Sequence, residues 1–141
     1  MNIEELIPQR APIIMVDEFL GVEDNVSRSG LTVREDNFFL DGDVLTECGL
    51  IEHIAQSAAA RVGYVCRQMN VPVPIGFIGS VDRFSIDRLP KLGDKILTTI
   101  TVLQEVMQIT LIQATCAIDG QEVAGCRMKI FLDTDDKEKE R

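Results

Sequence analysis

The stretch Glu47-Cys48-Gly49-Leu50-Ile51-Glu52-His53-Ile54-Ala55-Gln56-Ser57-Ala58-Ala59-Ala60, continued by Arg61-Val62-Gly63-Tyr64-Val65-Cys66-Arg67-Gln68-Met69, decides the fold. Its apolar residues recur at helical spacing, with Ile51, Ile54, Ala55, Ala58, Val62, Val65, Cys66 and Met69 forming one broad stripe. Few residues in it are β-branched, and Thr46, just ahead, can cap the free N–H groups of a first turn with its side-chain oxygen. The spacing predicts a helix from about residue 47 to about residue 69. Ala59, Ala60 and Gly63 keep much of the opposite side small. A helix apolar around most of its circumference should be wrapped by other structure.

Downstream the period changes from helical to alternating, and residues 77–86, 95–106, 108–118 and 122–132 read as strands. In the last of these, Ala124, Cys126, Met128, Ile130 and Leu132 share one face, with Arg127 and Lys129 on the other. Asp119-Gly120 is a hairpin signal, because a type I′ turn needs positive φ at both central residues. That turn sets Cys116 opposite Val123 and leaves Cys126 out of register for a disulfide with Cys116. Upstream, Asn2 with Glu5 marks one helical turn ended by Pro8, and residues 12–16 and 26–34 read as two strands. No repeat, low-complexity block or Gly/Ser linker divides the chain, so residues 1–132 are expected to form a single α+β domain. Residues 133–141 carry eight charges and no apolar anchor, and are expected to be a disordered tail.

A chain of 141 residues with 45% hydrophobic content suits one continuous core. The 23 acidic and 14 basic residues leave a formal charge of -9, whose field repels nucleic acid and anionic membrane surfaces. A small organic ligand or a protein partner fits better. The four cysteines, Cys48, Cys66, Cys116 and Cys126, have no C-x-x-C spacing and no histidine cluster to join, so no metal site is expected. They read as small, mostly buried hydrophobes. The first residues lack the basic and apolar regions of a secretory signal, and no apolar run reaches the length of a membrane span. A reduced, cytoplasmic setting is expected.

Leu6-Ile7-Pro8-Gln9-Arg10-Ala11-Pro12-Ile13-Ile14-Met15-Val16-Asp17 resembles the opening of bacterial 3-hydroxyacyl-ACP dehydratases, where a Pro, a His and an Arg precede an apolar strand ending in Val-Asp. Further segments follow in that family's order: Phe38-Phe39; Ile51-Glu52 with Ala55-Gln56; Asp82-Arg83-Phe84; Pro90-Lys91-Leu92-Gly93-Asp94; and Ile118-Asp119-Gly120-Gln121-Glu122-Val123-Ala124. The resemblance therefore runs from about residue 6 to residue 132. It implies a hotdog fold, an antiparallel sheet wrapped around one long central helix. In that family a histidine takes a proton from C2 of the 3-hydroxyacyl thioester, and a helix carboxylic acid from the other subunit helps the C3 hydroxyl leave. The acid maps onto Glu52. The histidine has no counterpart, because Phe38-Phe39-Leu40-Asp41-Gly42-Asp43-Val44-Leu45-Thr46-Glu47-Cys48-Gly49 holds no His-Phe-Pro-Gly motif and is shorter than the family pattern. Gln9 likewise stands where the opening usually has His. The chain looks like the divergent branch found in aryl-polyene pathways, whose dehydratase-like members also depart from that motif.

Glu52 is thus the candidate catalytic acid, with Gln56 one turn on along the same face as its hydrogen-bond partner or a substrate-binding group. Ile51, Ala55 and Phe84 are candidates to line an acyl tunnel. His53 is the only histidine, and the only side chain whose unperturbed pKa suits proton transfer near neutrality. Consecutive helix residues point about 100° apart, so His53 cannot face the same spot as Glu52 and reads as a structural or partner-facing histidine. Asp43, with Asp41, occupies the loop where the missing histidine would stand, and beside Gly42 it reads as a turn former as readily as a base. Arg83, Arg88, Lys91 and Lys95 are the densest basic group in this acidic chain, suited to docking an acidic acyl carrier protein.

The expected function is that of an acyl-thioester-handling protein, a 3-hydroxyacyl-ACP dehydratase or its dehydratase-like subunit. The alternatives are a noncatalytic acyl-binding or scaffolding subunit and a hotdog thioesterase. The expected partners are an acyl carrier protein or CoA thioester and a second hotdog subunit, in a homodimer or in a heterodimer with a histidine-bearing chain. No cofactor is expected.

Overall fold

The computed structural model describes residues 2–133. Its one α-helix, α1 (Glu47–Gln68), starts where Thr46 Oγ1 accepts a hydrogen bond from the Gly49 N–H at 3.2 Å, and it ends at a Met69 cap. Six strands curl around it: β1 (Glu18–Glu23), β2 (Val26–Thr32), β5 (Ile75–Ile86), β6 (Lys95–Val106), β7 (Ile109–Ile118) and β8 (Gln121–Asp133). They lie in the order β1-β2-β6-β7-β8-β5 with every neighbouring pair antiparallel. A two-residue-per-arm hairpin, β3 (Leu40–Asp41) and β4 (Val44–Leu45), leads into α1. This is the hotdog architecture, with Leu50, Ile54 and Ala58 of α1 packed on the inward residues Ile96, Ile100, Ile112, Ala114 and Met128. Each such large side chain contributes about 1.5–3 kcal/mol on burial. No helix among the described residues is long and apolar enough to cross a membrane.

The Asp119-Gly120 turn has positive φ at both residues, 53° and 80°, as a type I′ hairpin requires. The register beyond it is shifted by one residue between Cys116 and Ala117, so Cys116 faces Ala124 and not Val123. All four cysteines are free; Cys116 and Cys126 are buried, Cys66 is half-buried and Cys48, against expectation, is exposed. Asp133 closes β8, and the expected disordered tail otherwise falls on residues 134–141, outside the described residues.

The main departure lies in the N-terminal segment. Residues 12–16 are not a strand; the edge strand is β1, whose alternation is blunted by Glu18, Glu23 and a Gly21 at φ 107°. Residues 5–15 instead form a strap that runs antiparallel along α1. Arg67 Nε donates to the Glu5 carbonyl at 2.5 Å, and the Leu6 carbonyl lies where a Cβ on Gly63 would be only 2.0 Å away. Further along, Gln56 bonds both Ile13 and Met15, and His53 bonds Met15. The strap covers a second helix stripe, residues 53, 56, 60 and 63, all buried. That explains why the helix is small on this side and why its polar residues are inside while Met69 is 67% exposed.

Candidate active site

Between α1, the strap, the start of β5 and the inward faces of β6 to β8 lies a cavity of about 280 Å³. Its walls are mostly apolar, among them Ala55, Ala58 and Val62 of α1 with Val102, Ile112 and Ile130 of the sheet. Small residues on this face of the helix leave the space that larger side chains would fill. Glu52 is the one carboxylate on the wall among the described residues.

The half-buried Glu52 is held by its neighbour one turn on. Gln56, fully buried, donates from Nε2 to Glu52 Oε2 at 2.8 Å and to the Ile13 carbonyl at 2.9 Å, while its Oε1 accepts from the Met15 N–H at 2.6 Å. Both amide protons and the carbonyl are used, so the amide has one satisfied orientation. The carboxylate is therefore fixed at the cavity wall through Oε2, and Oε1 makes no hydrogen bond to the described residues. A carboxylate held by one oxygen and open at the other can exchange a proton with a bound ligand.

His53 points elsewhere. Its ring is fully buried, with Nδ1 2.7 Å from the Met15 carbonyl and Nε2 2.7 Å from Thr98 Oγ1. A carbonyl only accepts, so Nδ1 carries the proton and Nε2 accepts from the Thr98 hydroxyl. With its proton committed, Thr98 is left as the acceptor toward Cys116 Sγ, 3.3 Å away, and the thiol proton completes the chain. Burial pulls the imidazole down from 6.5 to about 4, outweighing the Met15 carbonyl and the charge of Asp17. Burial also pushes the Cys116 thiol up to about 11.

The profile of the ApeP-like family, described as ApeP dehydratase, matches residues 1–140. The chain belongs to the ApeP-like dehydratase family. It is 22% identical over 138 residues to the 3-hydroxyacyl-[acyl-carrier-protein] dehydratase FabZ of Brucella ovis, covering 94% of this chain and 87% of that one. The corresponding FabZ of Cereibacter sphaeroides is 26% identical over 137 residues, with 93% and 88% covered. Among solved structures, the dehydratase heterocomplex ApeI:P from Xenorhabdus doucetiae superposes with a TM-score of 0.88 at 17% identity, covering 94% of this chain and 91% of that one. A hypothetical thioesterase from Streptococcus pneumoniae TIGR4, solved with coenzyme A, gives 0.64 at 11% identity, with 82% and 84% covered. These structural likenesses agree with the fold described above.

In this ApeP-like chain the structure brings Glu52, Gln56 and Ala55 together, but it places the other sequence-derived candidates away from the cavity. Ile51 and Phe84 are partly buried against the main core and do not line the cavity wall. Asp43 is exposed in the β3–β4 turn, where its carbonyl accepts from the Leu92 N–H at 2.7 Å and Gly42 supplies the positive φ of 66°. In the basic group, Arg88 is paired with Asp94 and Lys95 with Glu18, each at 3.0 Å. The Lys91 N–H, with Arg88, holds the Asp94 carboxyl below its usual range. The Lys91 ammonium also acts on Asp94, so of the four only Arg83 has no charge partner among the described residues, and it sits at a bulge with φ 53°.

Gln9, which stands in the sequence where the family opening has a histidine, lines the cavity wall; Arg61 and Thr110 on that wall, and Thr98 behind His53, are not among the sequence-derived candidates. A signal existed for two of them. Arg61 is the one charged residue between Glu52 and Arg67 on the helix, and Thr98 interrupts the inward row Ile96, Ile100. A polar residue at a core position needs a partner.

Proposed function

We propose that this chain is a dehydratase subunit acting on 3-hydroxyacyl-ACP, in which Glu52 delivers a proton to the departing C3 hydroxyl and a histidine-bearing hotdog partner removes the C2 proton. The C2–H bond breaks toward the base as the C2–C3 double bond forms, the C3–O bond breaks, and the hydroxyl leaves as water with the proton from Glu52. Splitting the acid and base between two groups suits this chemistry, since one must be protonated while the other is not.

The observation that carries the reading is Glu52 itself, locked through Gln56 at the wall of an apolar cavity that offers no second carboxylate, histidine or thiol among the described residues. The segment ahead of α1 has no histidine, and the sole histidine is committed on both nitrogens. The FabZ relatives support the reaction class, and the ApeI:P heterocomplex supports a two-chain dehydratase. β5 is an edge strand with Ile75 and Phe77 more than half exposed, so its unpaired backbone is open to a strand from the partner. Of the basic group, Arg83 is the charge left free among the described residues to meet an acidic carrier, with the exposed Lys91 beside Asp94.

The test is water elimination from 3-hydroxyacyl-ACP by the purified chain alone, by the chain with its histidine-bearing partner, and by that complex carrying Glu52→Gln. Dehydration leaves the thioester intact, so release of free thiol would instead mark a thioesterase. The reading predicts activity only in the intact complex; turnover by the chain alone would refute it.

A further inference from the structure

Four adjacent strands carry an apolar row on the side of the sheet away from α1. Val106 pairs with Ile109, Ile109 with Phe131 and Phe131 with Phe77, so the four share one face across β6, β7, β8 and β5. The residues next to them along β7 and β8, Thr110 and Ile130, point inward and are buried, which puts the row on the convex face. Each row residue is nevertheless between 39% and 55% exposed, and Met107, in the turn that joins β6 to β7, is entirely so. The Phe131 ring lies over Gly79, where any Cβ would strike it, so the glycine lets the ring rest on the sheet. Together these side chains leave on the order of 500 Å² of apolar surface open, a patch of the size that marks a protein interface.

We infer that this face binds a second copy of the chain, the two sheets packing convex side to convex side about a two-fold axis that runs along the row. The charges beside the row select that occupant. Along β8 the convex face reads Lys129, Phe131, Asp133, a cation and an anion on opposite sides of the row, and neither pairs with a charge among the described residues. Four residues apart on one strand, they are separated by about 13 Å, too far to meet within one copy. The two-fold axis sets Phe131 on its own mate and brings Lys129 of each copy over Asp133 of the other, so every contact occurs twice. The same operation lays Leu111, which is level with Lys129, over the Met107 turn. Elsewhere the net charge of -9 drives copies apart, and anionic lipid would meet the same repulsion. Doubled across the axis, the apolar patch approaches about 1,000 Å², where specific interfaces begin. The row reaches the edge strand β5 at Phe77, and a strand added to that edge would lengthen the face without covering it. The second-copy contact therefore requires neither the histidine-bearing partner nor the dehydratase chemistry.

Sedimentation equilibrium of the full chain over a concentration series tests this. Self-association is expected, and Ile109→Lys should weaken it at least about tenfold. Lys129→Glu and Asp133→Lys should each weaken it about tenfold, since each sets like charges face to face twice. Made together, the two reversals restore the pairing, and association should return to within about threefold of wild type. A chain that stays monomeric overturns the inference, as does association that Ile109→Lys leaves unchanged, or a double reversal that associates no better than either single one. Association that appears only on adding a histidine-bearing hotdog subunit, and is lost with Ile109→Lys, would give the face to that subunit. Flotation with zwitterionic phosphatidylcholine vesicles that depends on Ile109 would give it to a membrane, and either result overturns the second copy.

Discussion

Acidification should destabilise this protein through a single buried ring. In the folded chain His53 titrates at about 4, whereas an unfolded chain protonates it at 6.5. The unfolded state thus binds the extra proton first, so the stability is complete above pH 6.5 and drains away as the pH falls toward 4. The full gap is worth about 3 kcal/mol, of which about 2 kcal/mol is lost between pH 7 and pH 5. The cause is specific: protonating Nε2 would break its acceptance from Thr98 and place a charge with no exposure to water. Urea denaturation at pH 7 and pH 5 measures the loss, and His53→Gln should remove most of it. His53 is the only histidine, so its imidazole proton resonances are unambiguous in an NMR titration of the folded protein. They should stay at the neutral position down to pH 5. A midpoint between 6 and 7, or the same pH dependence in wild type and His53→Gln, would refute the buried neutral ring.

Gln56→Leu strands the Met15 N–H and the Ile13 carbonyl and frees Glu52; it should cost about 2–5 kcal/mol of stability by denaturation, and turnover of the complex should fall further than the lost fold accounts for. Gly63→Ala sets a Cβ 2.0 Å from the Leu6 oxygen, so the strap must shift, and thermal or chemical denaturation should show a loss of about 1–3 kcal/mol; an unchanged midpoint would show that the strap is loose. Thiol labelling at pH 8 followed by mass analysis should place the first adduct on the exposed Cys48, with Cys116 and Cys126, pushed by burial to about 11, protected until unfolding. Early labelling at Cys116 would contradict the packing around Thr98.

The elements legible in the sequence are those whose stabilising partners are local. Thr46 caps α1 three residues on, Asp119-Gly120 builds its own turn, and the alternation along β6, β7 and β8 reports the face each residue occupies. The Glu52–Gln56 pair was likewise visible as one helical turn, and the angle between Glu52 and His53 already separated their directions. The strap was not legible. An apolar run such as Ile13-Ile14-Met15-Val16 reads as a strand because its burial is real, yet its backbone partners are Gln56 and His53, about forty residues away and recorded in no local pattern. Once the strap lies over residues 53, 56, 60 and 63, the helix turns Glu52 and Ala55 toward the cavity, while Ile51 packs on the core. Arg88 and Lys95 read as a free basic cluster from spacing alone, but Arg88 pairs with Asp94, six residues on, and Lys95 with Glu18 on β1, a partner that no local pattern records.

The central claim is that this chain brings the acid half of a dehydratase site whose base belongs to another subunit. The most direct measurement is single-turnover conversion of 3-hydroxyacyl-ACP to the enoyl product by the two-chain complex, comparing wild type with Glu52→Gln in this chain alone. The account predicts that the substitution lowers the rate by about 10²–10⁴ with assembly intact. A complex that retains full speed without the Glu52 carboxylate would contradict it.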